Sequence, residues 1–261
     1  MKNIAVITGA SSGIGKEFCK QVDSYGFDEI WAIARNQDKL DLLKSELRTP
    51  VKTISLDLME KESFDKFEEL LKQENPSVKM LVNCSGFGKF GRYDEIPVKD
   101  SEDMVLTNCV ATIKMTYLTI PYMPNKSKIL EIASIAAFQP IPYFAIYGAT
   151  KAFVLSFSRA LNVELKHREI SVTGVCPFWT KTNFFKVANT TTNKAITNYS
   201  VMYSVEKVVA KALKDSKKGK DKSIYGAVAK IQAFMAKILP HKAIMKIWLK
   251  QQNLKEKYKN K

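Results

Sequence analysis

The sequence predicts an α/β fold: a doubly wound, mostly parallel seven-stranded sheet with helices on both faces, plus an amphipathic helical tail. Two observations predict it. Short runs rich in β-branched and apolar residues alternate with longer segments of helical periodicity. Those short runs are apolar throughout instead of alternating, as strands covered on both faces must be. Right-handed crossovers between such strands then produce a doubly wound sheet.

The elements follow in order. Residues 4–7 (Ile-Ala-Val-Ile) read as the first strand, which stops at Gly9. A helix from Gly13 to about Tyr25 carries Ile14, Phe18 and Val22 at core-facing spacing. Strands at 29–34 and 51–56 alternate with helices at 37–47 and 61–73. A fourth strand at 78–82 precedes a long helix over 101–123 and a fifth strand at 128–133. A helix over 143–166 leads to the sixth strand at 171–175. After Pro177 the rhythm lapses. Residues 183–203, rich in Thr and Asn, read as a mobile loop before a helix at 205–215 and a seventh strand at 222–225.

The tail places Ile231, Phe234, Met235 and Ile238 at helical spacing, breaks at Pro240 and resumes with Ile244, Ile247 and Trp248. Such a lysine-faced pair of helices can pack on the domain, lie on a membrane surface or partner, or wall a substrate pocket. The sequence leaves all three open. No linker interrupts the chain, so residues 1–226 form the main domain and 227–261 a basic extension of the same domain.

Composition narrows the function classes. No apolar run approaches the roughly 18 residues that span a bilayer. Met1-Lys2-Asn3 leads straight into an apolar strand without a signal-like leader, which predicts a chain that is not secreted. Cys19, Cys84, Cys109 and Cys176 lie far apart and read as reduced thiols of a cytoplasmic protein. His167 and His241 are the only imidazoles, too few for a His-rich metal centre, and no metal site is expected. The net charge of +15 comes mainly from lysine, with only Arg35, Arg48, Arg92, Arg159 and Arg168 as arginines. No nucleic-acid-binding motif accompanies it, and no nucleic-acid partner is expected. Residues 228–261 hold nine lysines against one glutamate, so the tail is either a solvated surface or a handle for anionic lipid.

The turn Thr8-Gly9-Ala10-Ser11-Ser12-Gly13-Ile14-Gly15 joins the first strand to the first helix. Glycines there allow a tight turn and close approach of backbone to a pyrophosphate, whose charge the helix N-terminus favours. This is the fingerprint of a Rossmann-type dinucleotide site. The second strand ends Ala34-Arg35-Asn36, with a cation where an acid would hold the ribose hydroxyl of NAD. A guanidinium fits a 2′-phosphate, so the expected cofactor is NADP(H). Asp57 stands where an adenine amino group could donate to it. Asn83 reads as a structural hydrogen-bonding residue beside the cofactor.

Tyr147 and Lys151 stand at i and i+4 and so share a helix face. A free phenol has a pKa near 10; a neighbouring ammonium and an oxidised nicotinamide would lower it toward working pH. Ser134, ending the fifth strand, could hold a substrate oxygen against that phenol.

With these residues the chain resembles a short-chain dehydrogenase/reductase over about residues 3 to 182. The family's T-G-x-x-x-G-x-G loop falls on Thr8, Gly9, Gly13 and Gly15, and its Asn-Ser-Tyr-Lys set on Asn108, Ser134, Tyr147 and Lys151. The resemblance implies that Tyr147 is the general acid/base and that Ser134 orients the substrate. Lys151 would bind the nicotinamide ribose, and Asn108 would support a water that leads protons to it. It implies cofactor contacts from Thr8, Gly9, Ser11, Ser12, Gly13, Ile14 and Gly15, then from Arg35, Asp57, Leu58, Asn83, Ser85 and Gly86. Tyr147, Lys151, Pro177, Thr180 and Thr182 complete that set. It also implies a homodimer or homotetramer through the helices carrying Asn108 and Tyr147. Two positions depart from the pattern. Asn83-Cys84-Ser85-Gly86 replaces N-N-A-G, and Pro177-Phe178 replaces P-G, which puts that turn's backbone in question.

Within the family the chain looks most similar to the bacterial hydroxysteroid dehydrogenase and 3-oxoacyl reductase branch. Phe87, Phe90, Phe138, Tyr143, Phe178 and Trp179 fall in loops at the strands' C-terminal ends, where such sheets place their sites. They describe an apolar pocket for a bulky ketone or alcohol such as a steroid, bile acid or long acyl chain. A non-catalytic NADP(H)-binding redox sensor docked on a membrane or partner is the competing reading, and the intact Asn-Ser-Tyr-Lys set weighs against it. The expected location is the cytoplasm, with the tail open to membrane association.

Overall fold

The computed structural model describes residues 1–189, 196–199 and 201–254. Residues 190–195 and 200 of the expected loop, and 255–261 of the tail, lie outside the described residues. The strands are β1 (Asn3–Thr8), β2 (Glu29–Ala34), β3 (Val51–Ser55), β4 (Ser77–Asn83), β5 (Lys128–Ile132), β6 (Ser171–Val175) and β7 (Lys222–Ser223). They pair in the order β3-β2-β1-β4-β5-β6-β7, every pair parallel.

The two-residue period of a strand sorts the core into two layers. Ala5 and Ile7 of β1 join one cluster with Phe18 and Val22 of α1 (Gly13–Val22), Leu40 and Leu43 of α2 (Gln37–Glu46), and Val209 and Leu213 of α8 (Val205–Lys217). Ile4 and Val6 face the opposite side. There they meet Phe64, Phe67 and Leu71 of α3 (Lys61–Glu74), Met115 of α5 (Ala111–Thr119), and Leu161 of α6 (Ala145–Glu164). Both faces of each central strand are covered, which is why these strands carry no polar alternation. The winding reverses between β1 and β4, and chain leaving those two strands diverges to opposite faces. A crevice opens at their C-terminal ends.

Among the differences from expectation, three have clear local reasons. The long helix begins three residues early, at Val98, behind Pro97, whose φ of −53° already suits a helix entry. It runs as α4 (Val98–Val105), a π-helical turn at Leu106–Val110 centred on Asn108, and α5. A wider turn of this kind is invisible to a 3.6-residue periodicity. The helix expected from residue 143 starts at Ala145, because Tyr143 sits in the left-handed region at φ 64°. The expected loop contains α7 (Phe184–Ala188), where the partly buried Phe184 and Phe185 pack against Phe90, Trp179 and Tyr199. Its flanks are pinned by Tyr203, whose N–H donates to the Trp179 carbonyl at 2.8 Å.

The tail forms α9 (Ala227–Ile238) and α10 (His241–Gln251). Ala229 and Ala233 pack against Ala133 and Val154, and Trp248 donates from its indole to the Pro142 carbonyl at 3.0 Å. Among the described residues no helix is long and apolar enough to cross a membrane.

One polar group lies in the sheet itself. Glu131 of β5 is fully buried, and its Oε1 accepts from Asn83 Nδ2 at 3.0 Å and from Thr116 Oγ1 at 2.9 Å. These bonds join β4, β5 and α5 directly below the crevice. Asn83 Oδ1 and Glu131 Oε2 have no partner among the described residues. A buried carboxylate with one oxygen unpartnered is costly, and protonation removes that charge. Burial raises the carboxyl from 4.5 to about 7, while its hydrogen bonds and Lys151 pull the other way. Between those two values the folded chain holds a proton that the unfolded chain releases. Stability therefore falls as pH rises through that window and levels off above it. Glu131→Gln preserves a neutral group of the same shape and removes this slope. Its advantage over the parent in thermal melts should grow between about pH 5 and about pH 8, approaching roughly 3 kcal/mol. A difference independent of pH would contradict the proton-holding carboxyl.

Candidate active site

The glycine turn is shaped by contacts that leave no room for side chains. Gly9 and Gly13 have φ of 66° and 55°. A Cβ on Gly9 would lie 3.0 Å from the Cys84 backbone, and one on Gly15 only 2.3 Å from the Gly9 carbonyl. Thr8 closes the arrangement, its hydroxyl accepting from the N–H groups of Cys84 and Ser85 at 2.9 and 3.0 Å. Thr8 and Gly15 thus build the cradle from beneath. Gly9, Ser11, Ser12, Gly13 and Ile14 line it, at the N-terminus of α1. No side chain caps that N-terminus, leaving its N–H groups and partial positive charge directed at the crevice. The space denied to any Cβ and the uncapped helix end fit a dinucleotide pyrophosphate.

Arg35 is largely exposed, with Nη1 3.7 Å from Asp57 Oδ2. Arg35, Asp57 and Leu58 border the same crevice, as do Ser85, Gly86, Pro177, Thr180 and Thr182. Lys39 does too, a second cation beside Arg35 that sequence reasoning missed; its signal was a lysine in the first turn of α2, three residues past the cap Asn36. Asn83 turns its side chain away from the crevice into the Glu131 and Thr116 network, so it keeps its structural role but does not join the crevice lining as the expected cofactor contact would require. Phe178 has no positive φ, so the turn after Pro177 forms without a glycine.

Asn108, Ser134, Tyr147 and Lys151 converge at the inner end. The π turn aims Asn108 inward, where it is buried; Oδ1 accepts from Phe87 N at 3.0 Å, and Nδ2 donates to the Phe87 carbonyl and to Thr150 Oγ1. Lys151 is buried one helical turn from Tyr147, and its ammonium donates to the Ile132 carbonyl at 2.7 Å. That nitrogen is 5.6 Å from the Tyr147 ring centre. Burial lowers the ammonium to about 8, against smaller opposing effects from Cys84, Cys109 and Glu131. Ser134 caps the following 3-10 turn, its hydroxyl accepting from Ala136 N at 3.1 Å.

Tyr147 is held by stacking on Phe144, with ring centres 4.1 Å apart, and by Phe184 at 5.4 Å. Gly88 lets the chain pass, since a Cβ there would come within 2.7 Å of the Tyr147 ring. Burial raises the phenol to about 12, and a hydrogen bond with Ser134 works against that rise. The ammonium alone does not bring the phenol down. The downward shift expected from the sequence needs the positive charge of a bound oxidised cofactor as well.

Tyr147, Lys151 and Ser134 form one wall of a cavity of about 770 Å³ that is continuous with the glycine cradle. Phe87, Phe178 and Trp179 line it. Phe90 is fully buried behind it, Phe138 packs beside Ala229, and Tyr143 faces a separate cavity of about 530 Å³, so these three form no part of its lining. Phe184, Phe185, Val228, Gln232 and Trp248 take their place. They come from segments far along the chain, and no local pattern marks them as neighbours of Tyr147.

A family model described as short chain dehydrogenase matches residues 3–193. The chain is 35% identical over 200 residues to the very-long-chain 3-oxoacyl-CoA reductase of Bos taurus, an alignment covering 73% of this chain and 63% of that protein. It therefore spans less than two thirds of that relative's length. An uncharacterized oxidoreductase of Staphylococcus epidermidis is 30% identical over 178 residues, covering 67% of this chain and 77% of the relative. A short-chain dehydrogenase from Sphingobium yanoikuyae, solved in complex with NADPH, superposes with a TM-score of 0.77 at 26% identity, over 94% of this chain and 96% of that one. The family match runs through the glycine cradle, the Tyr147 wall and most of the sheet that brings them together, and the chain belongs to the short-chain dehydrogenase family of oxidoreductases.

Proposed function

We propose that this protein is an NADP(H)-dependent oxidoreductase that interconverts a ketone and a secondary alcohol on a bulky apolar substrate of the hydroxysteroid, bile acid or 3-oxoacyl type. The observation that carries this reading is the single cavity in which Tyr147, Ser134 and the buried Lys151 ammonium face the end of the glycine cradle. A nicotinamide held between the glycine cradle and Lys151 would supply or accept the hydride at the substrate carbon. In the reducing direction the Tyr147 hydroxyl gives its proton to the carbonyl oxygen, and in the oxidising direction the phenolate takes it back. Ser134 donates a hydrogen bond to that oxygen and orients it. Lys151, held by the Ile132 carbonyl, stabilises the phenolate electrostatically, and Asn108 fixes the Phe87 backbone that borders the site.

Arg35 and Lys39 favour a 2′-phosphate over a bare ribose, because both bring positive charge to the rim where a carboxylate would repel it. The NADPH bound to the Sphingobium relative agrees with this preference. Phe87, Phe178, Trp179, Phe184 and Trp248 make the rest of the cavity apolar, which suits a steroid or acyl chain. The 3-oxoacyl-CoA reductase name of the bovine relative is of the same chemical kind. Free thiols at Cys19, Cys84, Cys109 and Cys176 suit a reducing cytoplasm. For assembly we favour a homodimer or homotetramer. Val105, Leu106 and Tyr117, with Ile146, Phe153 and Val163 of α6, expose apolar side chains on the helices that carry Asn108 and Tyr147.

Tyr147→Phe should lower turnover of NADPH with a bulky ketone by about 10²- to 10⁴-fold while NADPH still binds, as followed by fluorescence titration. Full activity in that variant would sink the mechanism. Arg35→Asp should raise the Kd for NADPH on the order of tenfold or more and leave that for NADH nearly unchanged. Equal losses for both cofactors would refute the 2′-phosphate assignment.

A further inference from the structure

The face of α9 that meets solvent is the wrong one for an ordinary surface helix. Its inward stripe is Ala229, Ala233 and Ala236, and its outward stripe is Val228, Ile231, Phe234, Met235 and Ile238. Ile231 and Phe234 are 62% and 61% exposed, and Ile247 of α10 continues the apolar surface. Small side chains inside and large ones outside reverse the arrangement that burial favours.

The charge around this stripe has one sign. Lys230 and Lys237 on α9 and Lys242, Lys246 and Lys250 on α10 are all exposed, and residues 227–254 contain no Asp or Glu. None of the five lysines enters an ion pair among the described residues. A second copy of the chain would bring five more lysines and no carboxylate to the same face, so self-association there is opposed. Lysine stems can lie along apolar surface and lift their ammonium groups to phosphates, the arrangement of a helix lying in a membrane interface. The platform is also preset. Trp248 ties α10 to Pro142, and Gln252 Oε1 accepts from Asn198 N at 3.0 Å.

Val228 belongs to this outward stripe and also lines the cavity that holds Tyr147, as does the neighbouring Gln232. The apolar surface and the mouth of the candidate site are therefore continuous. We infer that α9 and α10 dock this protein on an anionic membrane surface, with the cavity mouth at the lipid. The bulky apolar substrate then enters from the bilayer without crossing water. The route of entry rests on the proposed function; the docking itself does not.

The test is co-sedimentation of the full chain with vesicles. The unmodified protein should partition onto equimolar phosphatidylcholine and phosphatidylserine and weakly onto phosphatidylcholine alone. Each exposed lysine changed to glutamine should cost on the order of fivefold in partitioning, relieved by salt. Ile231→Glu combined with Phe234→Glu should reduce partitioning by more than about tenfold. Turnover of a water-soluble ketone by this double variant should match the parent, which separates loss of docking from loss of chemistry. Unchanged partitioning of the double variant would overturn the proposal. So would binding of soluble polyglutamate as tight as binding of the vesicles, which points to an acidic protein instead. A parent dimer that falls apart in the double variant would also overturn it, because the stripe would then be a subunit contact.

Discussion

Everything functional in this molecule hangs on one close approach, where the turn after β1 is pressed against the chain leaving β4. The two strands are neighbours, yet their connections diverge to opposite faces of the sheet and leave a crevice between them. Thr8 bridges the gap through the N–H groups of Cys84 and Ser85, and Gly9 and Gly15 bring backbone to within distances that no Cβ tolerates. The same contact orients the N-terminus of α1 at the crevice and positions Gly86 above Asn108 and Lys151. A Cβ on Gly86 would be 2.8 Å from Asn108 Oδ1 and 3.3 Å from Lys151 Nζ. Cradle and chemical wall are thus held in one register by a few backbone contacts.

A second constraint is electrostatic. The site stands on polar groups withdrawn from water: Asn83, Asn108, Glu131 and Lys151 are all buried. Burial opposes the charged forms of Glu131 and Lys151 and calls for hydrogen-bond partners for all four. Asn108 meets that requirement through Phe87 and Thr150, Lys151 through the Ile132 carbonyl, and Glu131 through Asn83 and Thr116. The network spans β4, β5, α5 and α6, so the two strands beside Tyr147 cannot shift independently. Tyr147, buried except where it borders the cavity, then responds strongly to any charge brought beside it, because its surroundings screen weakly.

The apolar part of the cavity is assembled differently. Phe87, Phe178 and Trp179 follow strands β4 and β6, while Phe184 and Phe185 come from α7, Val228 from α9 and Trp248 from α10. Trp179 meets Phe90 and Tyr199 edge to face and Phe185 and Trp248 at a tilt, which joins these rings into one cluster. Packing of this kind lets the tail serve at once as part of the core, as pocket wall and as outer surface. The three roles that the tail's composition left open therefore fall to different residues of the same two helices.

Much of this was legible in the residues themselves. The positions of the strands and their burial on both faces follow from apolar runs of strand length, and the cradle from glycines at fixed offsets between a strand and a helix. The shared face of Tyr147 and Lys151 follows from their spacing of four. All of these are local: period, turn geometry and helix pitch act within a few residues. What only the tertiary structure decided was non-local. It buried Glu131 below Asn83, wound a π turn at Asn108 and replaced Phe138 and Tyr143 in the pocket by Phe184, Val228 and Trp248. It also turned the large side chains of α9 outward. Helical spacing marks a stripe of Ile, Phe and Met as one face, but which face meets the core depends on the room left by the elements beneath. There α9 meets Ala133 and Val154 through Ala229 and Ala233.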